Sequence, residues 1–404
     1  MKRFRLMTAI ALTAALLSGF SDSSGYGVSG FGTSTAWAMK SRNCPFCAAT
    51  SQTLSEEIAA MDAAVIATLE ALPPPSKPGE STDEVVKAKF KIVEILKGEK
   101  LLAKQKTIET VFFGEAKIGK KFFVTGVGPE NIQWSTPLPL SDKAHKYLQT
   151  LGKLPKSGSE RLEFFQGYLE DGDELLARDA YDEFAKAPYD VIKALKPKMN
   201  HDQLVTWIKD VNVVSSRRRL YLTLLGVCGS DKDVPMLEEM VKSDDRKQKA
   251  GLDALLACYL LLKGPDGVPL VEKQFILNAK AEYADTYAAI MALRFHGTDV
   301  HVIPRERVVA ALRLMLERPN LADLVIPDLA RWEDWSSMDK LVTLFKTADE
   351  KTSWVKVPVI NYLRACPLPE AKAKIKELEK IDPEAVKRAN TFFPMPTAAT
   401  PAKS

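Results

Sequence analysis

The stretch Asp233-Val234-Pro235-Met236-Leu237 returns as Gly267-Val268-Pro269-Leu270-Val271 and again as Val302-Ile303-Pro304, which places its prolines 34 and 35 residues apart. A period of that length is the signature of stacked helical hairpins. Proline in the first turn of a helix loses nothing, because the amide it lacks has no intrahelical partner there and its φ is already helical. The three prolines therefore predict the start of each unit's second helix. The helices before them also correspond: Leu220, Leu222, Leu224 and Leu225, then Leu255, Leu256, Leu260 and Leu261, then Ile290, Leu293 and Phe295. A lone hairpin hides one face only; stacking on its neighbours completes the core and leaves an extended concave surface of the kind that binds other macromolecules.

Outward from this centre the amphipathic period begins at Arg161, with Leu162, Phe165 and Leu169, then Val191, Ile192 and Leu195, then Leu204, Trp207 and Ile208. Phe164 to Leu195 reads as a divergent opening unit, and looser units follow over 321–345 and 354–381. The pattern resembles a HEAT-type α-solenoid of about six helix pairs across 161–390, with armadillo-like or irregular helical stacking as alternatives. Residues 391–404 lack apolar periodicity and read as a disordered tail.

Before residue 151 the period is different. Leu54 to Met61 is a short helical stretch, and Ala63-Ala64-Val65-Ile66-Ala67-Thr68-Leu69 is a continuous apolar run that predicts a buried strand. Val86, Ala88, Phe90 and Ile92 alternate with Lys87, Lys89 and Lys91, the period of two expected of a strand between core and water. Pro73 to Gly79 between them predicts a surface loop, because proline has no amide to donate. Further strands are expected over Thr107 to Phe113, Lys121 to Thr125 and Ile132 to Ser135, together a small closed or half-closed barrel over 62–150 with a linker at 151–160. The cysteine pair, the short helix, the strand from Asp62 to Leu69, the strand ending in Leu96-Lys97-Gly98 and Gly119-Lys120-Lys121-Phe122-Phe123-Val124 resemble the netrin-like, OB-type barrel of tissue inhibitors of metalloproteinases. In that family the free amine of an N-terminal cysteine can chelate a catalytic zinc. Here the spacing is Cys-x-x-Cys, the barrel has no cysteine partner and the expected mature chain begins at Met39, so the resemblance implies the fold and not the inhibition. The expected class is thus a multidomain α+β chain, an OB-like barrel followed by an all-α HEAT-like solenoid. That order of parts also resembles uncharacterised exported bacterial proteins.

Lys2, Arg3 and Arg5 precede an apolar run from Leu6 to Phe20, and Ala36-Trp37-Ala38 has the small-x-small form of a signal-peptidase site. Residues 1–38 are therefore expected to be a signal peptide and the protein to be exported, periplasmic or extracellular, with membrane attachment only if the segment is left uncleaved. Five cysteines remain at 44, 47, 228, 258 and 366, so at least one is unpaired. Cys44 and Cys47, in the segment 39–61, suit a local disulfide, a metal half-site or a redox dithiol. Cys228, Cys258 and Cys366 lie in apolar helical patterns and read as small core side chains.

The chain has 404 residues, 46% apolar and 27% charged, which excludes disordered, collagen-like and disulfide-dense classes. Its net charge of +4 is spread without a basic block, so no nucleic-acid partner is expected. Arg217-Arg218-Arg219 is a candidate anion grip, and Arg331, Trp332 and Trp335 are candidates for lining a binding groove. His296, Asp299 and His301 could form a zinc set, but Gly297 is expected to break the helix between them, and no metal is assigned. Glu170-Asp171-Gly172-Asp173-Glu174 fails the calcium-loop frame and reads as a solvated helix start. Asp179 and Glu183 share a helix face, read as solvated. With no phosphate loop, nucleophile elbow or His-Glu-x-x-His pattern, no cofactor is expected. The function expected is non-enzymatic binding of a protein partner on the helical surface. A thiol-disulfide oxidoreductase using Cys44 and Cys47 and a protease-inhibitor-like barrel are the alternatives.

Overall fold

The computed structural model describes residues 43–47, 50–73 and 87–392; the expected signal segment, most of the proline loop and the tail past 392 lie outside them. Residues 41–404 belong to one compact unit of α+β type. Its β part holds β1 (Ala63–Ala71), β2 (Lys87–Lys97), β3 (Thr107–Val111), β4 (Lys121–Val127), β5 (Gln133–Trp134) and β6 (Leu138–Pro139). All pairings are antiparallel, in the order β3-β2-β1-β4-β5, with β6 also on β4. Three register irregularities between β1 and β2 bend the sheet. It comes close to closing on itself, because the Thr110 hydroxyl of β3 lies 3.2 Å from both the Trp134 and the Ser135 carbonyls.

The apolar run of β1 has a specific cause. Ala63, Val65, Ala67 and Leu69 face the interior of the sheet, whereas Ala64 and Ile66 belong to the core of the helices. In the same way β4 sends Phe122 and Val124 inward and Phe123 to the helical side. A strand buried on both faces reads as continuous and not alternating. The interior is closed by Phe90, Phe112 and Phe122, which meet edge to face at 5.4–5.9 Å. After β2, Gly98 turns with φ +89°, and a Cβ there would stand 2.8 Å from the Asp62 carbonyl.

The described helices are α1 (Leu54–Ala60), α2 (Asp142–Leu151), α3 (Ser159–Gln166), α4 (Glu174–Lys186), α5 (Tyr189–Ala194), α6 (His201–Lys209), α7 (Ser215–Cys228), α8 (Val234–Lys242) and α9 (Leu252–Lys263). They continue with α10 (Val268–Val271), which runs on as a π-turn, α11 (Tyr283–Thr298), α12 (Arg305–Arg313), α13 (Ile326–Arg331), α14 (Met338–Thr347), α15 (Lys356–Ala365), α16 (Pro369–Ile381) and α17 (Pro383–Phe392). Helices α7, α9 and α11 lie side by side, as do α13, α15 and α17, and α11 and α15 also pack on the helices that follow them, α12 and α16. Pro235 and Pro269 occupy the first turns of α8 and α10 as expected, each as the second residue, whereas Pro304 precedes α12 as its N-cap. Pro327 opens α13 as well, so the proline does not mark second helices alone. The stretch expected as a linker carries the end of α2 and the start of α3, and Leu154 packs on the helical core.

Candidate functional site

The N-terminal segment runs across the helices before it reaches the sheet. Thr53 caps α1 reciprocally with Glu56, as the Thr-x-x-Glu spacing allows. The amide of Leu54 donates to Asp179 at 2.6 Å, that of Ser51 donates to Asp182 at 3.1 Å, and Glu56 pairs with Lys186. On its other side α1 meets the sheet, where Thr125 donates to Glu57 at 3.2 Å and Lys97 to the Ala59 carbonyl at 2.6 Å. Asp179 also accepts from the Tyr147 hydroxyl at 2.6 Å. Burial pushes its carboxyl up to about 6 against the pull of these two donors. The acid pair expected on a solvated face is thus an interior clamp: Asp179 is 4% exposed, and Glu183 holds Arg161 through two bonds of 3.0 and 2.6 Å.

Cys44 and Cys47 are joined in a disulfide. The turn they close places Phe46 against α11, ring edge toward Phe295 at 5.1 Å, and Phe295 meets Tyr189 of α5 at 5.6 Å. Asn43 forms an antiparallel bridge with Pro188 just ahead of that tyrosine. Cys44 and Phe46 are buried and Cys47 is half-buried. Burial raises the Tyr189 phenol to about 12, so it is neutral at ordinary pH. Neither Tyr189 nor Phe295 was distinguishable in the sequence from ordinary core aromatics.

The other expected binding residues are spent on the array itself. Arg218, read as one of three gripping cations, has no exposed surface; its guanidinium donates to the Lys247 carbonyl and, at 2.7 Å, to the Asp210 carbonyl, and burial lowers its pKa. Arg217 reaches Glu174 at 2.7 Å and Glu170 at 3.4 Å, and Arg219 reaches Asp253 at 2.7 Å. The run therefore faces three different neighbours and does not converge on an anion. The acidic stretch does start a helix, with Asp173 capping α4 and Glu174 largely exposed, but it is only partly solvated: Glu170 accepts from Tyr221 at 2.5 Å and Asp171 pairs with Lys143. Arg331 shares the fully buried Asp328 with Arg294. Trp335 stands edge-on to Tyr362 at 5.2 Å. Trp332 lies over Gly297, where a Cβ would come within 2.5 Å of its ring. α11 runs one residue past Gly297 and ends at Thr298, so the helix does stop between His296 and His301, and Gly297 is also the gap that lets the indole approach.

His296 is buried and bonded to the Ala257 carbonyl at 3.1 Å, and burial lowers it to about 4, while His301 is exposed. Among the described residues no group of three His, Cys, Asp or Glu could hold a metal. Cys258 and Cys366 are buried, and burial raises the Cys258 thiol well above its ordinary range. The stretch Leu252–Ile276 is apolar and long enough to cross a membrane, but 56% of its most apolar window is buried inside the protein. A cleft of about 930 Å³ beside α8 is lined by Val234, Pro235, Glu238, Lys242, Leu262 and Asp266, with Glu238 bonded to Lys242 at 2.6 Å.

One exposed feature escaped the sequence reading. Tyr283 and Tyr287, one turn apart at the start of α11, stack at 6.1 Å with 9° between their planes, and they are 58% and 40% exposed. The signal was available as two tyrosines four residues apart in the otherwise small and acidic stretch 282–287.

No protein-family model matches the chain, and no curated protein does. Among solved structures, an engineered protein from the Northeast Structural Genomics Consortium is 15% identical, over 56% of this chain and 92% of its own, with a TM-score of 0.26. A superposition that loose carries no argument.

Proposed function

We propose that this is an exported, non-enzymatic scaffold that holds a protein partner on its helical surface, an OB-like barrel joined to a HEAT-like array. The barrel reading draws on six antiparallel strands bent to near closure. The array reading draws on the helices side by side, on the recurring Val-Pro turns, and on Arg219–Asp253 and Arg294–Asp328, two ion pairs that each span 34 residues. The observation that carries the function is the Tyr283–Tyr287 stack. Paired tyrosines left half-exposed on a rigid helix are costly in water and are the side chains on which protein contacts concentrate.

The test is recovery of a partner from envelope extract on the immobilised full chain, beside a Tyr283→Ala/Tyr287→Ala variant. A partner retained by the native chain and reduced about tenfold or more by the double variant supports the reading, on the scale of a hot-spot loss. Equal recovery on both, or none above background at any salt concentration, sinks it. The rival thiol-disulfide oxidoreductase rests on the Cys44–Cys47 bond. Rapid insulin reduction lost in Cys44→Ala would transfer the function to that pair.

A further inference from the structure

Residues 43–47 meet the helices as a bound peptide meets its receptor. Asn43 pairs strand-like with Pro188, and three residues later Phe46 enters an aromatic slot walled by Phe295, itself braced edge-on by Tyr189. Backbone pairing with an aromatic anchor in a pocket is the means by which domains hold extended segments. The slot belongs to the helices: Phe295 sits on α11 between α9 and α12, and Tyr189 opens α5, with the Lys193 ammonium 5.3 Å from its ring centre. Its occupant belongs to the other end of the chain and precedes the clamp of Ser51 and Leu54 on Asp182 and Asp179.

We propose that residues 43–47 are an internal ligand, a disulfide-closed Pro-Phe turn that fills this slot and is released when a dithiol reductant opens Cys44–Cys47, after which the slot accepts an extended peptide of the same proline-phenylalanine chemistry. The exchange balances: one thiolate of the reductant attacks a sulfur of the pair, its second thiolate displaces the mixed disulfide, Cys44 and Cys47 each take up a proton, and the reductant leaves as the disulfide with two electrons given. Closing so short a loop removes chain entropy, and restoring it favours the open segment by about 20-fold. Cys228, Cys258 and Cys366 are free thiols already, so among the described residues reduction acts on this bond alone. The inference does not depend on the tyrosine surface.

The experiment is hydrogen exchange of the full chain, oxidised and after dithiothreitol, with two added thiols verified by intact mass. Exchange over 43–47 rising about 20-fold on reduction, with α15 to α17 unchanged, is the expected result. In parallel, a fluorescent linear peptide of residues 42–48 with serine in place of both cysteines should bind the reduced chain and an oxidised Phe46→Ala chain at least tenfold more tightly than the oxidised native chain, whose slot is filled. Unchanged exchange after verified reduction overturns the proposal. So does equal peptide binding to all three forms, or binding to none. If Phe46→Ala does not fold, comparison of the reduced and oxidised native chains decides the matter.

Discussion

Asp179 and His296 are buried titrating groups with opposite effects on stability. The carboxyl of Asp179, raised to about 6, favours the folded chain most when protonated, so its contribution is lost as pH rises from about 4 through 6. His296, lowered to about 4, acts the other way: the unfolded chain takes up its proton first, and stability falls as pH drops from about 6.5. Each effect is on the order of 3 kcal/mol, so the native chain should show little net slope from these two between pH 4 and 6. Asp179→Asn should unmask the histidine and give urea midpoints that fall on acidification; a profile as flat as that of the native chain would refute this assignment. Asp179→Ala should lower stability at pH 7 by about 2–4 kcal/mol, because the Leu54 amide and the Tyr147 hydroxyl lose their acceptor in the interior. The sequence showed that Asp179 and Glu183 share a helix face but not which way it points. Leu54, the donor that fixes it, lies 125 residues away, and no local pattern encodes such a partner. Arg218 was misread for the same reason.

Among the elements, those with a strong period were legible and those set by contact were not. The lysine alternation located β2 and the proline recurrence located α8 and α10, because both signals are consequences of local backbone geometry. Gly297 looked like a helix end because glycine often is one, and α11 does end one residue later; what the sequence did not show is the Trp332 indole packed over it. Gly297→Ala tests this cleanly. In an isolated helix the change gains about 1 kcal/mol, whereas here the methyl would drive against Trp332, and a net loss of about 1–3 kcal/mol with altered tryptophan fluorescence is expected. A thermally stabilised variant would show that the indole yields. The slot around Phe46 could not be read from sequence, since its three aromatic residues come from segments more than 100 residues apart.

At the scale of the molecule, the strap through α1 and the double-sided strands β1 and β4 predict that sheet and helices unfold together. Urea midpoints from hydrogen exchange in β2 and in α9 should coincide, and Phe123→Ala, on the helix-facing side of β4, should shift both by about 3–5 kcal/mol. A sheet that melts separately, or a shift confined to one half, would contradict the shared core. The composition change near residue 150 is visible in the sequence, but the adhesion across it is not, because Ile66 and Phe123 look like members of one barrel until their two faces are known. The wall formed by β1 and β4 also governs how the protein can be cut. A fragment trimmed at the apparent seam carries away half of a common partition and presents a raw greasy surface, so neither piece is a transplantable module, and a recombinant shuffled at that seam should precipitate unless the newcomer brings its own cover.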